Sequence, residues 1–161
     1  MSKRANSIPE SMRDELQAWN DGQGIDLESW VGCTGSFSLA VGYASILCPE
    51  FIEFEDYILL AREITNETIR TIRGFEAQEG STPRSVERVL NHRHIADVQH
   101  VGCPDASADK LIFVGNAMKM TWAGLLAQKF PSKPCMVKFY EPADRNNLME
   151  YQITFWQAKH T

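Results

Sequence analysis

The sequence predicts an α+β fold, with several helices packed on a small, mainly antiparallel sheet that includes a C-terminal β-hairpin. Three observations carry this. Apolar residues recur at helical spacing from Leu111 to Phe130, through Val114, Met118, Trp122 and Leu125. Two strand-like segments, Cys135 to Glu141 and Met149 to Gln157, flank the turn-forming Pro142-Ala-Asp-Arg-Asn-Asn147, and Tyr151, Ile153 and Phe155 share one face by period two. Helices come in runs before these strands instead of alternating with them, which argues against a doubly wound parallel sheet.

The remaining elements follow in order. Residues 1–6 read as a flexible tail and 7–161 as a single domain, because 161 residues suit one core and no repeat or linker divides them. Ser7, Pro9 and Glu10 form a helix start that leads into Met12, Leu16 and Trp19. Asn20-Asp-Gly-Gln-Gly24 stops that helix, and Asp26 caps a short second one through Trp30. Phe37 to Cys48 fits a strand or a helix; its alanines and length favour a buried helix halted by Pro49. Phe51 to Leu60 reads as two short strands around Glu55-Asp56. Asn66 to Gln78 reads as a helix capped by Asn66, and Ser85 to His94 as a helix turning Val86, Val89 and Leu90 inward. Trp122 and Trp156 sit on elements expected to pack together in the core.

Composition narrows the function. Net charge is −5, and the terminal cationic pair Lys3–Arg4 is too short for a nucleic-acid arm, so a basic phosphate-binding footprint is missing. Residues 1–15 carry no apolar signal segment, and the longest apolar stretch, Phe37 to Cys48, is too short to span a bilayer. Cys33, Cys48, Cys103 and Cys135 are scattered without a C-x-x-C and read as reduced core thiols. These features predict a cytoplasmic protein with no membrane or nucleic-acid partner. No P-loop, G-x-G-x-x-G, H-E-x-x-H or G-x-S-x-G occurs.

Two constellations could carry chemistry. His92, His94 and His100, with Cys103 and Asp97 nearby, offer ligands that suit zinc or another transition metal. On a helix His92 and His94 would point about 200° apart, so only an extended or broken backbone lets them share a metal. His94 also continues the row Val86, Leu90, His94, Val98, where a histidine is more often a hydrogen-bonded core group, with Asp97 as its partner. Cys33 or Cys103 beside an imidazole could act as a nucleophile. The second constellation is Glu50, Glu53, Glu55 and Asp56, alternating with Phe51, Ile52, Phe54 and Tyr57. Such a segment is most often the solvated face of an edge hairpin. Its aromatic anchors and acidic rim also suit a basic protein partner, and paired carboxylates can do acid–base work.

Four segments taken in order, Tyr43-Ala-Ser-Ile-Leu-Cys-Pro-Glu-Phe51, Val89-Leu-Asn-His-Arg-His-Ile95, Trp122 with Leu126 and Phe130-Pro131, and Ile153-Thr-Phe-Trp-Gln157, resemble a group of small, uncharacterised bacterial proteins. The resemblance implies a bacterial cytosolic protein and supplies no catalytic residue. The expectation is therefore a non-enzymatic interaction or accessory protein of immunity type, without a cofactor. The alternative is a metal-dependent enzyme using His92, His94 and His100.

Overall fold

The computed structural model describes residues 8–61, 64–99 and 103–160, so the expected tail over 1–6 and the cap at Ser7 lie outside the described residues. A 3-10 turn over Glu10–Met12 leads into α1 (Arg13–Gln17), followed by α2 (Leu27–Thr34) and α3 (Phe37–Leu47). Asp26 caps α2 by accepting the Ser29 N–H, and Ser36 caps α3 by accepting that of Leu39. β1 (Phe51–Phe54) and β2 (Tyr57–Leu60) pair antiparallel around the expected Glu55-Asp56 turn. α4 (Asn66–Glu76) and α5 (Pro83–Leu90) each open on a capping box, Thr65 with Thr68 and Thr82 with Ser85. The cap of α4 is thus Thr65, not Asn66, which is already helical. The chain continues through β3 (Arg93–His94), α6 (Ala108–Lys129), β4 (Cys135–Tyr140) and β5 (Gln152–Gln157). The second sheet has the order β3-β5-β4, antiparallel throughout, and β4–β5 is the C-terminal hairpin. The fold is α+β, as the sequence predicts.

The main core lies between α6 and this sheet. Leu111, Met118, Trp122 and Leu126 meet Tyr151, Ile153 and Phe155, while Phe51, Ile58 and Leu60 close the cluster. Gly115 lets α6 approach β4 closely, because a Cβ there would meet Phe139 Cε2 at 2.3 Å. Period two sends Trp156 to the opposite face, where the Arg84 and Arg88 guanidinium groups lie 4.8 and 5.5 Å from its ring centre. Trp122 and Trp156 are both buried, and the elements that carry them, α6 and β5, pack together as expected. A second cluster joins Tyr57 and Leu59 to Ile72, Val86 and Leu90. β2 therefore has apolar neighbours on both faces and is buried throughout.

The edge of β2 away from β1 poses a problem, since buried strand N–H and C=O groups need partners. α5 supplies them with side chains. Glu87 Oε1 accepts the Ile58 N–H at 3.0 Å, Asn91 Oδ1 accepts the Leu60 N–H at 3.0 Å, and Asn91 Nδ2 donates to the Ile58 C=O at 2.9 Å. The same two residues reach β5: the Gln157 N–H donates to Glu87 Oε2 at 2.8 Å, and Asn91 Nδ2 to the Phe155 C=O at 3.3 Å. This stitching explains two departures from the sequence reading. α5 stops at Leu90, because Asn91 turns inward to cap it and Arg93–His94 pair with β5 instead of extending the helix. Glu87 takes the buried position expected of Val89, which is 50% exposed.

Candidate functional site

Extended backbone at Arg93–His94 brings the His92 and His94 rings edge to face, with centroids 4.5 Å apart. His94 Nδ1 faces the Met149 carbonyl oxygen, not the exposed Asp97. His100 lies outside the described residues. Cys103 is half-buried ahead of α6, and among the described residues no group of three or more His, Cys, Asp or Glu is arranged to hold a metal ion. All four cysteines are free thiols, but Cys33 and Cys48 are exposed, which corrects their expected place in the core.

The acidic segment is laced to the chain's own cations. Glu53 pairs with Lys133 at 2.6 Å, Glu55 with Arg73 at 2.5 Å, and Asp56 with Lys159. The Lys159 hydrogen bond holds the Asp56 carboxyl below its usual range. Glu50 remains exposed. Tyr57 is buried and donates to Glu76 at 2.8 Å; burial, with that carboxylate beside it, pushes the phenol up to about 12. Exposed pairs of this kind add little stability, but they neutralise most of what a basic partner would meet.

A cluster that sequence reasoning missed lies at the chain's end. His160 Nδ1 is 2.8 Å from Glu87 Oε2, and its Nε2 is 3.5 Å from Asp56 Oδ2. Gln157 Nε2 donates to Glu87 Oε1 at 2.8 Å and to the Asp56 carbonyl at 2.6 Å. An imidazole between carboxylates is the grouping that general acid–base sites use. Here the ring is 7% exposed and both nitrogens face protein oxygens, so the cluster fastens residues 158–160 to the β1–β2 turn and α5. Only the spacing Glu87, Asn91 hinted at it, as a polar pair on one helix face.

The largest departure is α3. The segment is helical, but no residue of α2 or α3 is buried, which overturns the expected buried helix. Phe37 is 93% exposed, Val41 71%, Leu39 56%, and Val31 on α2 54%. The C-terminal half of α3 is anchored: Ile46 and Leu47 pack on the core, Trp122 Nε1 donates to the Ile46 C=O at 3.3 Å, and Gln99 Nε2 donates to the Tyr43 hydroxyl. Among the described residues, neither core cluster includes Phe37, Leu39 or Val41 of the N-terminal half. A helix apolar all round is normally enclosed, whereas here Phe37, Leu39 and Val41 are left exposed. Apolar composition signals a segment better covered than exposed; it does not reveal that the chain's own core clusters leave out Phe37, Leu39 and Val41.

Comparison with protein-family models, with curated proteins and with solved structures finds no match. No helix among the described residues is long and apolar enough to cross a membrane.

Proposed function

We propose that this chain is a non-enzymatic protein that acts by associating with other protein chains, an accessory or immunity-type protein of a bacterial cytosol. The observation that carries the reading is the exposure of Phe37, Leu39 and Val41 on a helix with no charged residue. Removing such a surface from water is the dominant favourable term in protein association. The acidic hairpin contributes little to this reading, because Glu53, Glu55 and Asp56 are already paired with Lys133, Arg73 and Lys159. The net charge of −5 favours protein over nucleic acid. The test is affinity capture with tagged wild type and with Val41→Glu, reading every chain recovered, including an untagged copy of the protein itself. The reading expects at least one chain to be lost with Val41→Glu while the circular dichroism spectrum stays unchanged. Identical recovery from both proteins would refute it.

The approach of His92 and His94 favours a second reading, a metal-dependent enzyme using these residues with His100. It expects close to one zinc, nickel or manganese per chain after dialysis, lost in a folded His92→Ala/His94→Ala variant. Absence of retained metal would end it.

A further inference from the structure

We infer that the outer face of the C-terminal sheet, beside α5, binds an acidic segment of a partner protein, held extended along the free edge of β4. The inference goes beyond the association reading above and makes no use of α3. It begins from where cations gather. The Arg84 and Arg88 guanidinium groups share the Trp156 ring. Arg88 also lies 5.8 Å from the centre of the Tyr140 ring and donates to its hydroxyl at 3.3 Å, while Lys138 Nζ lies 5.5 Å from that same centre. The chain has 21 Asp and Glu against 16 Lys and Arg, and elsewhere Arg73, Lys133 and Lys159 each meet a carboxylate. Among the described residues no carboxylate lies within 4 Å of the charged ends of Arg84, Arg88 or Lys138. Arg84 Nε and Trp156 Nε1 are buried there with no acceptor among those residues. Covering Trp156 accounts for the stems of the two arginines, but not for like charges gathered without a counter-charge, whose repulsion an arriving carboxylate relieves.

The strand edge sets the shape of the occupant. β4 is the last strand of its sheet: β5 pairs with one side of it, and no described strand pairs with the other. An extended chain adds to such an edge through backbone hydrogen bonds. Met136, Lys138 and Tyr140 alternate on the outer face, opposite Trp156, Thr154 and Gln152 of β5, whereas Val137 and Phe139 pack on the core. Side chains of an added strand stand level with these residues, about 5 Å away. Carboxylates at alternate positions then fall beside Lys138 and beside Arg88 at the Tyr140 hydroxyl, and an apolar residue two positions on falls beside the exposed Met136. Edge lysines commonly deter strand pairing; two arginines brought by α5 turn that deterrence into a preference for an acidic strand.

Other anionic partners fit this face less well. Trp156 is 3% exposed beneath the guanidinium groups, so no base can stack on it. Three cations on a chain of net charge −5 do not make a track for a phosphate backbone. An anionic membrane surface calls for a cluster of roughly 4–8 cations.

Fluorescence anisotropy of the full chain with a short labelled peptide that alternates glutamate with threonine tests this. Binding is expected with a dissociation constant on the order of 100 μM at low salt, weakening as salt rises. A lysine-for-glutamate counterpart and labelled oligothymidylate should bind far less. Lys138→Glu, at an exposed side chain, and Arg88→Gln should each weaken binding by on the order of tenfold. Arg70→Glu, which changes net charge equally at an exposed residue of α4, should not. If Arg88→Gln fails to fold, Lys138→Glu against Arg70→Glu decides alone. Amide exchange of the complex should show β4 gaining protection with α6 unchanged. No binding up to about 1 mM, equal weakening by Lys138→Glu and Arg70→Glu, or no gain of protection in β4 would overturn the inference. Tighter binding of oligothymidylate would overturn it in favour of a nucleic-acid site. Val41→Glu should bind the peptide as wild type does, so failure here leaves the α3 reading standing, and failure of that reading leaves this one.

Discussion

Replacing Glu87 with alanine tests the stitching that joins the two sheets. Glu87 is fully buried and accepts from the Ile58 N–H, the Gln157 N–H and Gln157 Nε2, with His160 Nδ1 beside it. In Glu87→Ala the two backbone donors lose their acceptor in a place water does not reach. Each such orphan costs about 1–3 kcal/mol, and the space left by the side chain adds to it, so the loss should be about 3–6 kcal/mol. Against a total stability of about 5–15 kcal/mol, that is a large fraction. Glu87→Gln should cost less, about 2 kcal/mol, because its oxygen can still serve one donor while its NH₂ confronts another. Urea denaturation followed by circular dichroism gives the free energies. Amide exchange localises them, with Ile58 and Gln157 expected to lose protection ahead of α6. If Glu87→Ala came within about 1 kcal/mol of wild type, these bonds would not be holding the sheets together.

Other consequences follow from single contacts. Gly115→Ala should destabilise by about 1–3 kcal/mol despite alanine's better helix propensity, since its Cβ would strike the Phe139 ring, whereas Gly124→Ala on the same helix, with open space, should stabilise by up to about 1 kcal/mol; denaturant midpoints decide. Burial, with Glu87 nearby, pushes the Cys135 thiol up to about 12, so at mildly alkaline pH iodoacetamide should label exposed Cys33 and Cys48 well before Cys135, as peptide mass mapping can show. Burial opposes the charge on Asp109, but hydrogen bonds from Ser107, Ser11 and Lys110 outweigh it and hold the carboxyl well below its usual range. Its folded value is thus depressed, so its contribution is present above about pH 4 and fades as pH falls towards the folded value. The thermal midpoint of wild type should exceed that of Asp109→Asn at neutral pH, and the gap should narrow in acid.

The parts of this fold that the sequence disclosed are those written in local patterns. Alternation marked Tyr151, Ile153 and Phe155, helical spacing marked α6, and Asp26 with its following residues marked a cap. What stayed hidden depended on contacts distant in the chain. Glu87 and Asn91 look like ordinary polar residues on an amphipathic helix until β2 presents an unpaired edge to them. The end of α5 was missed because the row Val86, Leu90, His94 reads as continuous, while β5 recruits residues 93 and 94 for pairing. The burial of α3 was misjudged for a related reason. Apolarity states that a surface is better covered, and the chain's own core covers only Ile46, Leu47 and their neighbours.

Amide hydrogen exchange of α3, in the free protein and in the complex recovered by capture, bears most directly on the claim that this helix is an association surface. The amides of Leu39 to Ala44 should exchange fast in the free protein and become protected in the complex, with α6 unchanged and the gain absent for Val41→Glu. Protection that is the same in both states, or that rises equally with Val41→Glu, would contradict it.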